Sequence, residues 1–493
     1  MNESASIYAK QHPKIRQILE AAGSAGKVLC GALDYAKTQH VALLCNGFGD
    51  ILKKPFAVEN SPAGLQKLLE EVRSTCAHRG LQNHHVFFGG EDNPPYALNF
   101  LEALAQAGYL VVRVNAWEAK HQRDNHQAST DELDVPAIAK ALLHQPTYSD
   151  QDQSAPFQAL KELSRARAYF VAQLTEQKLH IHHYVNRLCP GFLSLKQSGL
   201  APFGRASLAL LAEDFSAEHL RHWRRDQLVR FLQRHGQDPA EAAADQLKTL
   251  AGQVLAPAPL LVPCWQSSLT QYVRQYQGLQ QSVQALEKEL AAGLIQTPGA
   301  LLTSVSGVGV VLAAGVVAEL GDPAGWRAVR SLCSYAGIVP RTSQSGGPDK
   351  PAQSGTVQRR CNRRAKNWLV QAGSSLGRCG PPELQRQHQQ LQDHGQHADF
   401  IMSKRLLRIF KDLLRRGTVY RPKALLAPDT PAAELAAYYQ DLWKRLVLKW
   451  QGRIAWEVLV EARYPLGQGR QMAQQLYKIS LPVPKNDKLI KVK

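Results

Sequence analysis

The stretch 87-FFGGEDNPPYALNFLEALAQAGYLVVRVNAWEAKHQRDNHQASTDELDVPAIA-139 sets the order of strands and helices and carries most of the candidate chemistry. Short apolar runs rich in Phe and Val flank a segment with helical spacing of apolar residues, which predicts strand, helix and strand in turn. One carboxylate, Glu91, follows the first run, and Asp131 and Asp134 lie three residues apart near the end. A fourth, Asp34, ends the upstream apolar run KVLCGALDYAK.

These four acids suit a divalent-metal site that acts on a phosphodiester. Hard cations such as Mg²⁺ take oxygen ligands, and a metal pair can bind both the attacking and the leaving oxygen. Acids also follow strands in unrelated α/β proteins, because loops are polar, so one such acid would say little. Four acids in this order and spacing predict a metal site.

The upstream sequence predicts the sheet that would present these acids. Five short apolar runs read as strands, at 27–34, 40–46, 51–58, 85–89 and 109–115. Helices are predicted between the third and fourth runs, with Leu65, Leu68, Leu69 and Val72 on one face, and at about 96–107. This order is that of a ribonuclease-H-like α/β domain, in which carboxylates at strand ends converge at one edge of the sheet.

The third and fourth acids lie at a predicted helix start whose position is ambiguous. Ser129 to Glu132 reads as a capping box, which would start a helix at Ser129. Pro136 would then lie inside that helix and clash with the carbonyl four residues back. We therefore predict a helix that starts near Asp134, or one that is kinked at Pro136. In either case about one helical turn separates Asp131 from Asp134.

Composition favours a multidomain protein with a polyanionic partner. The chain has 493 residues, and 59 Lys and Arg against 41 Asp and Glu give a net charge of +18. Such an excess favours nucleic acid as the partner; the alternative is a basic surface kept for solubility. The eight cysteines form no CxxC pair, so we expect reduced thiols. A polar N-terminus and the lack of a membrane-length apolar run predict a cytoplasmic protein without membrane contact.

The middle of the chain reads as helical. A polar, proline-containing loop is predicted at 145–155 and a helix at 156–186, and the HisIleHisHis run at 180–183 reads as a solvated helix face. Five arginines near Trp223 form a nucleic-acid face or merely a solvated one: Arg221, Arg224, Arg225, Arg230 and Arg234. A further helix carries a heptad seam that predicts pairing with a second helix, from this chain or another: Tyr272, Tyr276, Leu279, Val283, Leu286 and Leu290.

The C-terminal part has a turn, a loop and a basic cluster with possible roles on phosphates. SerGlyValGly within 296–340 resembles a helix-hairpin-helix turn, although tight helix packing explains its glycines equally well. Ser345, in the loop RTSQSGGPDKPAQSGT, is a candidate phosphate nucleophile, and Ser343 is the alternative. A dense basic cluster follows: Arg359, Arg360, Arg363, Arg364 and Lys366. Basic helices then lead to an amphipathic tail after Pro422.

Several of these segments together resemble the IS110 ("IS-one-ten") family of insertion-sequence transposases. GALDYAK, GGED, NAWEAK and STDELDVPAIA are similar to the RuvC-like N-terminal half of that family. Residues 298–340, the SQSGG loop and residues 394–420 are similar to its C-terminal transposase domain. The chain departs from the family pattern at the residues after Glu91, at Ser129, at Cys361 and in the added length at 190–265 and after 425.

The resemblance implies a recombinase that works on DNA with a guide RNA. Asp34, Glu91, Asp131 and Asp134 match the metal-binding tetrad, for Mg²⁺ with Mn²⁺ as a substitute, and Ser345 matches the serine nucleophile. The implied partners are donor and target DNA, a structured bridge RNA, and copies of the chain that form dimers and then tetramers. Two competing interpretations are a RuvC-like endonuclease that uses water and a nucleic-acid-binding protein without catalysis.

These readings predict four regions with a combined fold class of α/β plus α. Residues 1–155 would form the RuvC-like, ribonuclease-H-like catalytic domain, and 156–295 a helical coiled-coil region. Residues 296–425 would form a mostly helical transposase domain with the helix-hairpin-helix-like motif and the serine nucleophile. Residues 426–493 would form a C-terminal helical extension with a basic tail.

Overall fold

The computed structural model describes the following residues: 12–91, 94–123, 131–145, 147–148, 155–255, 257–322, 325, 328–343, 353–357, 361–426 and 430–450. The chain divides into two compact units, Met1–Ala155 and Pro156–Lys493, called here the N-terminal and C-terminal units. None of the described helices is long and apolar enough to cross a membrane.

The N-terminal unit is built on a six-stranded mixed sheet with the order β3-β2-β1-β4-β5-β6. Its strands are β1 (Leu29–Asp34), β2 (Gln39–Asn46), β3 (Ile51–Glu59), β4 (Val86–Glu91), β5 (Leu110–Val114) and β6 (Thr147–Tyr148). The neighbours β1, β4 and β5 run parallel, and the other pairs are antiparallel. This sheet fits a ribonuclease-H-like domain, and the five predicted strands are confirmed. The two-residue β6 lies within the predicted loop at 145–155. It was not predicted, because so short a strand leaves no periodic pattern in the sequence.

Helices cover both faces of this sheet, and apolar side chains form a separate core on each. The helices are α1 (Pro13–Ala22), α2 (Pro62–Arg79), α3 (Pro94–Gln106), α4 (Ala116–His121) and α5 (Asp131–His144). On one face α1 and α5 pack against β1, β4 and β5. On the other face α2 and α3 pack against the same strands.

Helix α5 begins at Asp131, one turn before the predicted start near Asp134, and it includes Pro136 in its interior, as in the alternative prediction of a helix that continues through this proline. Proline removes one intrahelical hydrogen bond and costs about 3 kcal/mol in a helix interior. Val135, Ile138 and Leu142 are fully buried against the sheet, and burial of each such side chain contributes about 1.5–3 kcal/mol. Packing on the sheet therefore offsets the proline, which local sequence rules alone do not show.

The C-terminal unit is almost entirely helical. Its first half contains α6 (Ala155–Leu188), α7 (Leu195–Ser198), α8 (Arg205–Ala212), α9 (Ala217–His222), α10 (Arg225–Arg234), α11 (Ala240–Gln253) and α12 (Val262–Leu294). Its second half contains α13 (Val310–Leu320), α14 (Val329–Tyr335), the hairpin β7 (Pro340–Ser343) and β8 (Gln353–Val357), α15 (Arg363–Cys379), α16 (Pro382–Asp393), α17 (Ala398–Arg416) and α18 (Ala432–Trp450).

The two longest helices, α6 and α12, lie side by side and antiparallel. Their contacts follow one another in opposite order along the two helices: Leu160 with Gly293, Arg167 with Glu287, His180 with Tyr272, and Arg187 with Trp265. The predicted seam on α12 therefore has a partner within the same chain. His180 stacks on Tyr272 with ring centroids 4.6 Å apart, and His182 and His183 are exposed.

This helix pair connects two separate hydrophobic cores. The end of α6 near Ile181 and the start of α12 near Leu269 pack with α8 to α11. The opposite ends, at Leu160 and Leu290, pack with α13, α15 and α17. Within α6, whose side chains are all described, none from 165 to 180 is fully buried. Residues 190–265 therefore pack with these ends of α6 and α12 in a core separate from that of α13, α15 and α17.

Candidate active site

Two of the predicted acids leave neighbouring parallel strands at the same end. Asp34 is the last residue of β1 and Glu91 the last residue of β4. The strands pair in parallel with Leu33 opposite Gly90, so the next residue on each strand is an acid. Sequence therefore delivers both carboxylates to one edge of the sheet, as predicted.

Both acids also point to the face covered by α5. Side chains alternate between the two faces of a strand. Ala32 and Phe87, an even number of residues before Asp34 and Glu91, lie in the core that α5 closes. Asp134 lies in the first turns of α5, directly before the buried Val135. Asp131 is the first residue of α5, and its side chain is outside the described part of the chain.

The carboxylates are close enough to affect one another electrostatically. Burial raises the pKa of Glu91, and the negative charges of Asp34 and Asp134 raise this pKa further, whereas Arg123 lowers it. Like charges that share a partly buried site disfavour ionisation, and a cation among them would favour it. The structure thus brings Asp34, Glu91 and Asp134 into one electrostatic cluster.

Arg123 is a member of this site that sequence reasoning missed. Its Nε lies 2.6 Å from Asp134 Oδ1, and both side chains are only 13% exposed. It is the positive charge that opposes the rise in the pKa of Glu91. The sequence carries no spacing signal for this role, because Arg123 precedes α5 in a polar segment without periodicity.

The donor chemistry of the cluster fits a hard divalent cation. Its carboxylate oxygens are the ligands that Mg²⁺ and Mn²⁺ prefer, and the raised pKa of Glu91 reflects burial and the nearby negative charges of Asp34 and Asp134. Among the described residues, no group of three or more His, Cys, Asp or Glu side chains is arranged around a metal position. The fit therefore rests on chemistry and charge, with Arg123 as the counter-charge.

The opposite face of the sheet supports the strand ends. A Cβ added at Gly90 would lie 2.3 Å from the Tyr35 ring and 2.3 Å from the Leu33 carbonyl oxygen. Tyr35 is buried, which raises its pKa, and the ring of His40 packs edge-on against it at 5.4 Å. Only glycine allows the Tyr35 ring and the Leu33 carbonyl to come this close to the backbone of β4. The packed ring therefore holds the end of β4, which carries Glu91, beside the end of β1, which carries Asp34.

The other candidate chemistry lies in the C-terminal unit, around the hairpin of β7 and β8. Ser343 ends β7 and pairs with Gln353 of β8. Ser345, Arg359 and Arg360 lie outside the described residues. The three described members of the basic cluster begin α15: Arg363 and Arg364 are exposed, and the Lys366 ammonium lies 5.4 Å from the centre of the Phe400 ring.

Comparison with known proteins gives the family. Residues 30–190 match the model of the DEDD-type IS110 transposase domain, described as a transposase. Residues 299–389 match the model of the transposase IS116/IS110/IS902 family. The chain belongs to the IS110 family of transposases. The first match contains all four acids, and the second contains the hairpin and the basic turn of α15 in this IS110-family chain.

A curated relative is similar to part of this IS110-family chain. It is a Pseudomonas aeruginosa protein named a probable family 20 transposase, 27% identical over 176 residues. The match covers 34% of this chain and 50% of the relative. The chain thus spans about half the length of the curated relative that it matches.

The SerGlyValGly turn of this family member is packed against two helices. Gly307 has a φ of +83° and its carbonyl accepts a hydrogen bond of 2.6 Å from Ser375 of α15. Arg445 of α18 donates to the Ser306 hydroxyl, and Lys449 donates to the carbonyls of Thr303 and Val305. Helix α18 therefore supports this turn.

Two of the five arginines near Trp223 have partners within the C-terminal unit. Arg221 donates to the Ala251 carbonyl at 2.6 Å and to the Val254 carbonyl at 2.7 Å, at the end of α11. Arg225 forms an ion pair of 2.7 Å with Asp245. These contacts give both arginines a structural role, whether or not this surface also binds nucleic acid.

Proposed function

We propose that this chain is a DNA transposase and recombinase that cuts and rejoins strands at a site formed by Asp34, Glu91, Asp131 and Asp134. The observation that carries this proposal is the cluster of strand-end and helix-start carboxylates, in which Asp34 and Asp134 raise the pKa of the partly buried Glu91. The family supports DNA as the substrate, and the net charge of +18 suits a polyanion.

The four acids would hold Mg²⁺, with Mn²⁺ as a substitute. The metal supplies stabilisation of the negative charge that develops on the scissile phosphate. The strands fix Asp34 and Glu91, and α5 carries Asp131 and Asp134. Arg123 balances these charges on the protein side.

Ser345 is the proposed nucleophile. Its hydroxyl oxygen forms a bond to phosphorus and loses its proton, while the bond from phosphorus to the leaving oxygen breaks and that oxygen gains a proton. The phosphoserine bond conserves the energy of the broken linkage for rejoining. Because the acids and the serine belong to different units, the complete site requires assembly.

The remaining partners belong to the same proposal. A structured bridge RNA would guide the choice of donor and target DNA, and the chains would assemble as dimers that pair into tetramers. The α6–α12 pair would act as a coiled coil. The SerGlyValGly turn, with its helix-hairpin-helix-like sequence, and the basic start of α15 would contact phosphates.

A single experiment tests the acids and the serine. On DNA with a suicide nick and Mg²⁺, Asp34→Asn and Glu91→Gln should lose cleavage by about a thousandfold, because charge stabilisation is lost. Ser345→Ala should lose the covalent protein–DNA adduct but still bind nucleic acid. Glu102→Gln, an exposed acid on α3, is the matched control and should remain active.

Two outcomes would contradict the proposal. Near wild-type cleavage by Asp34→Asn would show that the proposed acids do not form the catalytic site. Efficient recombination without an adduct, or an adduct that peptide mapping places on Ser343, would remove Ser345 as the nucleophile. Cleavage with no adduct and no rejoining would favour the water-using endonuclease.

A further inference from the structure

Glu319, near the end of α13, is a buried carboxylate that the proposed chemistry does not use. Its side chain is 0% exposed. It accepts two hydrogen bonds from Arg165 of α6, at 3.1 and 3.3 Å, and one from the Asn362 amide at 2.9 Å. A buried charge remains ionised only where such partners surround it.

Asn362 uses its whole amide group in this network. Its Nδ2 donates to Glu319 and, at 2.8 Å, to the Tyr335 hydroxyl. Its Oδ1 accepts from the backbone N–H groups of Arg364 and Ala365, each at 3.0 Å, and so caps α15. Neither Asp nor Ser replaces both functions, because only an amide side chain combines two donor hydrogens with an acceptor oxygen.

The backbone extends the same network. The Asn362 N–H donates to the Tyr335 carbonyl at 2.8 Å, and the Tyr335 hydroxyl lies 3.4 Å from the Glu319 carbonyl. Tyr335 ends α14, before β7, and Asn362 follows β8 and precedes α15. The network therefore joins the two points where the chain enters and leaves the β7–β8 hairpin.

We propose that Glu319, Asn362, Tyr335 and Arg165 form a positioning site. This site holds the base of the β7–β8 hairpin and the basic first turn of α15 against α6 and α13. Because Glu319 is buried, the loss of one partner leaves part of its charge without a hydrogen bond, which costs more than the same loss at an exposed carboxylate. The consequence for DNA rests on the proposed function, since the hairpin strands flank the segment that contains Ser345.

Amide hydrogen exchange on the full-length chain without DNA tests the positioning role directly. Asn362→Ser keeps a side-chain oxygen for the helix cap but removes both amide N–H donors, and Tyr335→Phe removes only the hydroxyl. Asn362→Ser and Glu319→Gln should speed exchange in β7 and β8 by about tenfold, as expected for the loss of a hydrogen bond to a charged group. Tyr335→Phe should have a smaller effect.

Glu287→Gln is the matched control. Glu287 pairs with Arg167 at 2.6 Å, also between α6 and another helix, with side chains 17% and 24% exposed. This variant should leave exchange in β7 and β8 unchanged. Unchanged exchange in Asn362→Ser and Glu319→Gln, or equal acceleration in Glu287→Gln, would overturn the positioning role.

A second measurement separates this inference from the proposed function. With nicked DNA, Asn362→Ser should slow adduct formation about tenfold with unchanged DNA affinity, because positioning and not binding is impaired. If the wild-type chain forms no adduct, the proposed nucleophile fails, while the exchange data still decide whether the network holds the hairpin. Faster exchange with a normal adduct rate would overturn the link to chemistry.

Discussion

At the scale of single residues, the candidate site combines acids that could be predicted from the sequence with one cationic side chain, Arg123, that could not. Asp34 and Glu91 could be predicted because strand ends and their acids are visible as apolar runs followed by carboxylates. Arg123 could not, since its role depends on a tertiary contact with Asp134 of α5. The ion pair of Arg123 and Asp134 places a positive charge beside the acids, where it would oppose the binding of a divalent cation.

Arg123→Gln should therefore change metal binding and stability in opposite directions. Breaking this largely buried pair should lower the free energy of unfolding by about 3 kcal/mol without divalent metal. Mn²⁺ should bind more tightly, because a competing positive charge is gone. Calorimetric Mn²⁺ titration and thermal unfolding check both, with Arg73→Gln, an exposed arginine of α2, as the control. Weaker Mn²⁺ binding by Arg123→Gln would contradict this prediction and show that Arg123 helps to hold the acids in position around the metal.

At the scale of helices and strands, periodicity predicts which face is buried but not what covers it. The seam from Tyr272 to Leu290 was predicted to need a partner helix, and the contacts identify α6. Likewise the tail after Pro422 reads as amphipathic, and only the structure shows α18 docked on the SerGlyValGly turn. The start of α5 was predicted late because proline rules are local, whereas burial of Val135 and Ile138 is a tertiary effect.

The docking of α18 should leave a signature in the pH dependence of stability. Burial, together with the nearby Arg445, lowers the pKa of Lys449 to about 8. A lysine in the unfolded chain has a pKa of about 10.4. Between pH 8 and that value the unfolded chain therefore binds more protons than the folded chain, so the contribution of Lys449 to stability rises with pH.

Chemical denaturation at pH 8 and pH 10 measures this contribution as the difference between the wild-type chain and Lys449→Gln. We expect the wild-type chain to gain stability relative to the variant over that interval. Lys444→Gln, an exposed lysine of α18, should show no such difference. A parallel pH profile for wild type and Lys449→Gln would contradict the burial of this ammonium group.

At the scale of the whole molecule, the N-terminal unit carries the acids and the C-terminal unit carries the hairpin and most basic clusters. Composition predicts the sign of the partner's charge, because a net charge of +18 favours a polyanion. Composition does not show which basic residues are available to a partner. Arg221 and Arg225 have partners within the chain, whereas Arg363 and Arg364 are exposed at the start of α15. Contacts within the chain distinguish these two groups.

This distinction predicts how affinity for DNA depends on salt. Each lysine or arginine on a phosphate adds about 0.9 to the slope of log affinity against log salt, through release of counterions. Arg363→Gln with Arg364→Gln should therefore lower the slope by about 2 for duplex DNA, measured by fluorescence anisotropy across salt concentrations.

The matched control removes two charges from arginines that already have acidic partners. Arg225 pairs with Asp245 and Arg415 with Asp412, so Arg225→Gln with Arg415→Gln should leave the slope nearly unchanged. If both double variants lower the slope equally, net charge and not contact at α15 governs binding. If neither does, the start of α15 lies away from the DNA, and Arg363 and Arg364 have no part in DNA binding.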